Sequence, residues 1–264
     1  MSDDIHEIYA ISYGGHQRPG AENYIGDPHN TSPDPLEYYI WAITGKSGTF
    51  IVDTGFDEIA AKRRNRPITR PIGEGLKALG IAPDSVKNVI ITHLHYDHSG
   101  NADLFPNARY HLQDCEMDYA TGRCMCHAHQ RAPFEIDYVV DTVKKVYAGR
   151  VEFHDGEDEL APGISVHHIG GHSKGLQCVR VKTKRGYVVL ASDCAHLYKH
   201  IDEGKVFPIT YNVVDTLEGY KKLGKLASSR QHIVPGHDPR TLDLYPAAKP
   251  GLDRVVRLDL EPKP

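Results

Sequence analysis

The chain has 264 residues, with 31 basic and 35 acidic side chains and a net charge of −4 when histidine is neutral. That length suits one domain, spanning 1–264, with a sizeable core, and the charge offers neither a basic face for nucleic acid nor a polybasic patch for an anionic membrane. Apolar residues make 40% of it, an ordinary globular share, but 17 histidines stand out, because histidine binds metals and titrates near neutrality.

The opening MSDDIHEIYAISY lacks the basic and apolar regions of a signal peptide. No apolar run reaches the roughly 18 residues of a membrane span. The five cysteines, Cys115, Cys124, Cys126, Cys178 and Cys194, are odd in number. A reducing, cytoplasmic setting with free thiols is therefore expected.

Residues 5–13 read as a first strand, followed by a Gly/Pro/Asn/Asp-rich loop over 14–37. YYIWAIT (38–44) and TFIVDTG (49–55), split by Gly45-Lys46-Ser47-Gly48, predict a hairpin. KRRNRPITR (62–70) holds five basic residues and reads as a solvated loop, a lid, or an anchor for an acidic substrate group. A helix over 72–80 ends at Gly80, and VKNVIIT (86–92) predicts a buried strand. A strand near 109–112, a helix near 113–120, a Cys/His-rich stretch and a helix across 134–147 follow. Strands are predicted at 150–154, 164–169, 176–182 and 187–192, with a helix near 215–227 ahead of HIVPGHD (232–238). The Pro-rich tail, 246–264, is expected on the surface. Strands in runs with interspersed helices predict two packed, antiparallel-rich sheets with helices outside.

The strand at 86–92 runs directly into T-H-L-H-Y-D-H-S-G. His93, His95 and Asp97 would share one side by the period of two, with His98 pointing elsewhere. One metal cannot easily use all four, but two adjacent metals can divide them. Imidazole with carboxylate suits Zn²⁺, with Fe or Mn as alternatives. Three further ligand types follow apolar strand-like runs: His172 in I-G-G-H-S-K-G, Asp193 in L-A-S-D-C and His237 in V-P-G-H-D. Paired metals acidify water, which opens hydrolysis without a Ser or Cys nucleophile, and no G-x-S-x-G element competes.

H-x-H-x-D-H, followed in order by G-H, S-D and G-H, resembles the metallo-β-lactamase superfamily over roughly residues 36–240. The resemblance implies an α+β fold, an αββα sandwich of two mixed sheets flanked by helices, with the site at one sheet edge. It assigns His93, His95 and His172 to a first divalent metal and Asp97, His98 and His237 to a second, with Asp193 bridging. Asp53 in V-D-T-G matches an aspartate that orients a ligand histidine, and a plain turn role is the alternative.

G-H-S-x-G-x-Q (171–177) and S-D-x-x-H-x-Y (192–198) are most similar to the N-acyl homoserine lactonase-like group. There a tyrosine three residues past the bridging aspartate binds the substrate carbonyl. Here that position is His196 and the tyrosine is Tyr198. His196 is either an oxyanion donor or a structural loop histidine, and Asp97 could pass a proton to the leaving group. Tyr24, Trp41, Tyr96, His129, Tyr198 and Tyr211 are candidates for the pocket wall. C-x-C-H-x-H (124–129) could bind a third metal, shape the substrate mouth, or simply pack. The expected activity is opening of a small lactone, either acyl homoserine lactone-like or aromatic or heterocyclic. The alternatives are cyclic amide or imide, ester or thioester hydrolysis, and a non-catalytic metal-binding scaffold. The expected partner is a small-molecule substrate, with a homodimer as a candidate assembly because similar proteins commonly dimerise.

Overall fold

The computed structural model describes residues 4–263. The first sheet orders its strands β12-β1-β2-β3-β4-β5-β6: β1 (Glu7–His16), β2 (Leu36–Gly45), β3 (Gly48–Val52), β4 (Asn88–Ile90), β5 (Arg109–Gln113), β6 (Val151–His154) and β12 (Val255–Arg257). The second orders them β11-β10-β9-β8-β7: β7 (Glu157–Ala161), β8 (Ile164–His168), β9 (Gln177–Thr183), β10 (Gly186–Ser192) and β11 (Ile233–Pro235). Both sheets are mixed. Antiparallel pairs join β12 to β1, β1 to β2 and β2 to β3, and β3 through β6 run parallel. Antiparallel pairing likewise links β7 through β10, and β11 lies parallel to β10.

Strand alternation decides which core each residue enters. On β2, Tyr39, Trp41 and Ile43 face the second sheet and pack with Val166, Val179, Val181 and Leu190. Tyr38, Ile40 and Ala42 face the other way, in the core beneath the helices. Helices α1 (Glu58–Arg64), α2 (Ile72–Leu79), α4 (Asp114–Thr121) and α6 (Ile136–Tyr147) contribute to that outer layer. Tyr220 and Leu223 of α8 (Val213–Leu226) cover the far face of the second sheet. The layers are therefore αββα, as expected. The remaining helices are short: α3 (Tyr96–Ser99), α5 (Ala128–Arg131), α7 (Tyr198–Glu203) and α9 (Arg240–Leu244).

Three expectations are corrected, and a strand that the sequence pattern does not predict appears at β7. The tail is not a surface appendage: β12 pairs with β1, and Val255, Val256 and Leu258 are buried. Its short apolar run is masked by flanking Pro, Asp and Arg. The acidic EDELA forms β7, an edge strand whose charged side chains face solvent. The first basic residues of 62–70 close α1, which ends at Asn65 in the left-handed region. The strand expected over 86–92 pairs only at Asn88–Ile90, because beyond Ile90 the chain leaves the sheet to build the site. Among the described residues, no helix is long and apolar enough to cross a membrane.

Candidate metal centre

The site lies where β3, β4 and β10 end and the turns after β8 and β11 meet them. His93 and His95 continue the extended chain beyond β4. The period of two stops there, because Tyr96 begins the one-turn helix α3. Asp97 is consequently not on the face of His93 and His95. It turns with His98 towards His237. Glycine lets the last segment close in: a Cβ on Gly236 would lie 2.8 Å from Asp193 Oδ1.

Two ligand sets result. His93, His95 and His172 bring ligand atoms within 4.8 Å of one another, as do Asp97, His98 and His237. Asp193 stands between them. Its Oδ2 lies 3.8 Å from His93 Nε2 and 3.2 Å from His172 Nε2. Its Oδ1 lies 3.3 Å from His98 Nε2 and 2.9 Å from His237 Nε2. Asp97 is 3.7 Å from both His98 Nε2 and His237 Nε2. All seven side chains are buried. His93 Nε2, His98 Nε2, His237 Nε2 and Asp193 Oδ1 are buried without a hydrogen-bond partner. Unpaired buried polar atoms are costly and rare, and here they converge on one space. The donors fit a pair of divalent cations, and this set defines a binuclear metal centre.

The electrostatics agree. Burial holds His93 and His95 well below the ordinary histidine value, so they stay neutral, the form that ligates. His98 differs: burial disfavours its charge, but Asp193, Asp53 and Asp97 outweigh it and hold His98 well above that value, so a cation bound there would take the place of its proton. Burial would raise Asp193, yet His196, His237 and His98 hold it well below the carboxylate range. An acid held this firmly ionised among imidazoles is a ready cation ligand.

A second layer aims the ligands. Asp53 Oδ2 accepts from His98 Nδ1 at 2.7 Å, while the carboxylate also accepts from Thr92 N at 2.7 Å and Thr92 Oγ1 at 2.9 Å. Asp53 therefore takes both roles read for it, turn and orienter, at a φ of 62°. His237 Nδ1 lies 2.9 Å from the Glu37 carbonyl. Glu116 was missed from the sequence. Fully buried, it accepts from Leu94 N at 2.9 Å and Gly175 N at 2.8 Å, tying the His93–His95 segment to the turn carrying His172. A lone Glu in a helix N-terminal turn carries no signal of that role in sequence.

The other predicted residues divide. His196 lines the cavity with Nε2 3.0 Å from Asp193 Oδ2, and its ring stacks on Phe207 with centroids 3.6 Å apart. Tyr96 lines it too, its hydroxyl 2.9 Å from that of Tyr38. From β2 it is Leu36 and Tyr38, not Trp41, that line the wall, because alternation sends Trp41 into the inter-sheet core. Tyr24 supports the pocket from behind, packed with Leu36, Leu197 and Phe207. Tyr211 is partly exposed beside Tyr119, tied by its N–H to the Gly171 carbonyl at 2.8 Å. His129 is exposed on α5. Tyr198 does not reach the site: α7 starts at this residue and turns its ring to Arg240 and Arg230, 4.9 and 5.4 Å from the centroid. Cys124, Cys126, His127 and His129 form no ligand cluster among the described residues, although the chain just beyond them brings Ala132 and Pro133 to the cavity wall.

An αββα sandwich carrying a buried His/Asp binuclear centre at its sheet edge is a metal-dependent hydrolase. The chain matches the metallo-beta-lactamase superfamily over residues 33–259 and belongs to it. It is 32% identical over 240 residues to the N-acyl homoserine lactonase AttM of Azorhizobium caulinodans, covering 81% of this chain and 85% of that one. An N-acyl homoserine lactonase of Bacillus cereus is 24% identical over 220 residues, 77% of this chain and 82% of that one. The crystal structure of a quorum-quenching N-acyl homoserine lactone lactonase superposes with a TM-score of 0.75 at 23% identity, covering 91% and 95% of the two chains.

Proposed function

We propose that the protein is a two-metal lactonase that opens a small lactone ring, with Zn²⁺ as its metal. The observation that carries this is Asp193, whose two carboxylate oxygens face two separate ligand sets. The similarity to N-acyl homoserine lactonases supports the ring-opening chemistry. When bound, two divalent ions acidify water towards neutrality and polarise an ester carbonyl. An all-imidazole and carboxylate donor set suits zinc. Cys194, beside Asp193, instead packs into the core under α8. The unpaired state of all five cysteines supports a reducing, cytoplasmic setting.

The side chains take the remaining work. His196, at the cavity wall, would turn the ring N–H that now lies against Asp193 Oδ2 to the carbonyl oxygen as charge develops there, once that carboxylate is engaged by metal. Water adds to the carbonyl carbon and gives up a proton to Asp97, whose side chain opens onto the cavity; collapse of the tetrahedral adduct then re-forms the carbonyl and breaks the ring C–O bond, and Asp97 passes that proton to the departing alkoxide. Tyr38 and Tyr96 close one wall and limit water. The test is hydrolysis by zinc-loaded protein of an acyl homoserine lactone, a small γ-lactone, a cyclic imide, a thioester and a phosphodiester. Lactone turnover that falls with metal removal is expected. Turnover of an imide or thioester without any lactone would refute the reading.

A further inference from the structure

The basic run 62–70 is open to several meanings in sequence, and the structure separates its members. Arg63 and Arg64 are committed to Glu135, Arg64 at 2.6 Å through Nε. Arg64 also donates to the carbonyls of Ala132 and Phe134, both at 3.0 Å, and lies 4.1 Å over the Tyr96 ring. Its charge is matched by Glu135, and its Nε and Nη2 hold the cavity wall together. Arg66 is different. One of its terminal nitrogens donates to the Arg64 and Asn65 carbonyls, at 3.0 and 3.2 Å, and the side chain also reaches the Tyr38 and Tyr96 hydroxyls. Its Nε is buried without a partner, and among the described residues no carboxylate pairs with it.

Arg18, from the segment after β1, lines the same cavity. It donates to the Glu22 carbonyl, and its Nε lies 3.4 Å from the exposed Glu22 carboxylate, a solvated pairing of small value. That Nε also has no hydrogen-bond partner. The Arg18 guanidinium sits 5.3 Å from the ring of Phe207, the ring that stacks on His196. Arg66 reaches Tyr38, whose ring lies 5.5 Å from that of His237. The two arginines therefore approach the centre past different ligand-side rings.

Among the described residues, the only acids lining the cavity are Asp97 and Asp193, the two carboxylates of the candidate metal set. Two divalent ions over two carboxylates leave the centre cationic, and Arg18 and Arg66 add to it, in a chain whose net charge is −4. Burial above all, and then the nearby Arg66 and Arg18, push His16 down to about 4. The cavity is small, about 180 Å³, below the roughly 300–1,000 Å³ of sites for drug-sized ligands.

We infer that the substrate is a small lactone bearing an ionised carboxylate, which Arg66 pairs with directly and Arg18 attracts. Specificity of this kind follows from a half-buried guanidinium that lines a cationic site with no carboxylate of its own to pair with, because a substrate carboxylate supplies the missing counter-charge and an uncharged group does not. The inference rests on the lactonase reading for its ring and on the arginines for its charge.

The test compares γ-carboxy-γ-butyrolactone with its carboxamide on zinc-loaded protein. We expect kcat/KM to favour the carboxylate about tenfold or more, with the preference shrinking as salt rises. Arg66→Gln should remove most of that preference through KM. Arg66→Lys, which keeps the charge, should restore part of it, and Arg18→Gln should have a smaller effect. A preference that survives Arg66→Gln, or a carboxamide turned over as well as the carboxylate, would overturn the inference. Calorimetric binding of cyclopentanecarboxylate and cyclopentanecarboxamide separates it from the lactonase reading. Arg66-dependent binding of the carboxylate without lactone turnover upholds the charge selection and refutes the lactonase. Equal binding of both rings overturns the charge selection whatever the turnover.

Discussion

Replacing Asp53 by Asn removes one charge and changes one atom, and the hydrogen bonds around it set the consequence. Asp53 accepts three bonds, from Thr92 N, Thr92 Oγ1 and His98 Nδ1. A carboxylate can accept all three, whereas an amide presents an NH₂ on one side. If the amide oxygen stays on Thr92 N, the NH₂ faces His98 Nδ1. His98 must then carry its proton on Nε2, the nitrogen that lies 3.3 Å from Asp193 Oδ1 and is needed for the metal. If the amide is flipped, its NH₂ meets Thr92 N–H and leaves a buried donor unpaired. Either way the metal set of Asp97, His98 and His237 weakens. Loss of such an outer partner costs about 10–100-fold in metal affinity, or about 1.4–2.7 kcal/mol at 1.36 kcal/mol per tenfold. Competition titration of zinc against a chromogenic chelator reads this directly, with one of two binding steps expected to weaken. Wild-type affinity for both ions in Asp53→Asn would refute the claim that Asp53 fixes the His98 tautomer.

Three further outcomes are expected. Burial, with His154 beside it, lowers His111 from 6.5 to about 4; the unfolded chain then binds the proton first as pH falls, so stability drops between about 6.5 and 4. The slope from this group approaches about 1.4 kcal/mol per pH unit inside that window, and urea midpoints of His111→Gln should show a shallower fall than wild type; equal slopes would contradict the assignment. His196→Phe should preserve metal content while lowering kcat/KM for a lactone by about 10²-fold or more, as loss of an oxyanion donor does, and unchanged kinetics would return His196 to a structural role. Val256→Asp places a charge in the inter-sheet core beside β1 and should lower the unfolding free energy by about 3 kcal/mol or more; a neutral effect would mean that β12 is dispensable.

The site was more legible than its surroundings, for physical reasons. Metal ligands must be His or Asp, they follow apolar strands, and H-x-H-x-D-H places four of them within six residues. Orienting groups have no such restriction. Glu116 acts through two backbone N–H groups 22 and 59 positions away, a relation no local pattern encodes. The period of two predicted Asp97 on the wrong face because α3 intervenes after His95. Among the aromatic residues, the alternation that makes β2 a strand also separates Tyr38 from Trp41, and its phase was set only by which sheet face each residue meets. Its place in S-D-x-x-H-x-Y makes Tyr198 a candidate for the pocket wall, but the start of α7 turns it away. The basic run showed its charge and not its aim: Arg64 and Arg66 lie two residues apart, one paired with Glu135 and one with an unpaired Nε–H and no carboxylate partner among the described residues.

The central claim is a catalytic pair of metals bridged by Asp193, and the most direct test measures metal content and lactone turnover together. Zinc is added stepwise to metal-free protein, and bound zinc per chain is plotted against the initial rate. The expected result is two ions per chain, turnover that reaches its maximum as the second site fills, and loss of both turnover and full occupancy in Asp193→Asn. Full turnover with one ion per chain, or two tightly bound ions in Asp193→Asn with wild-type turnover, would contradict the account.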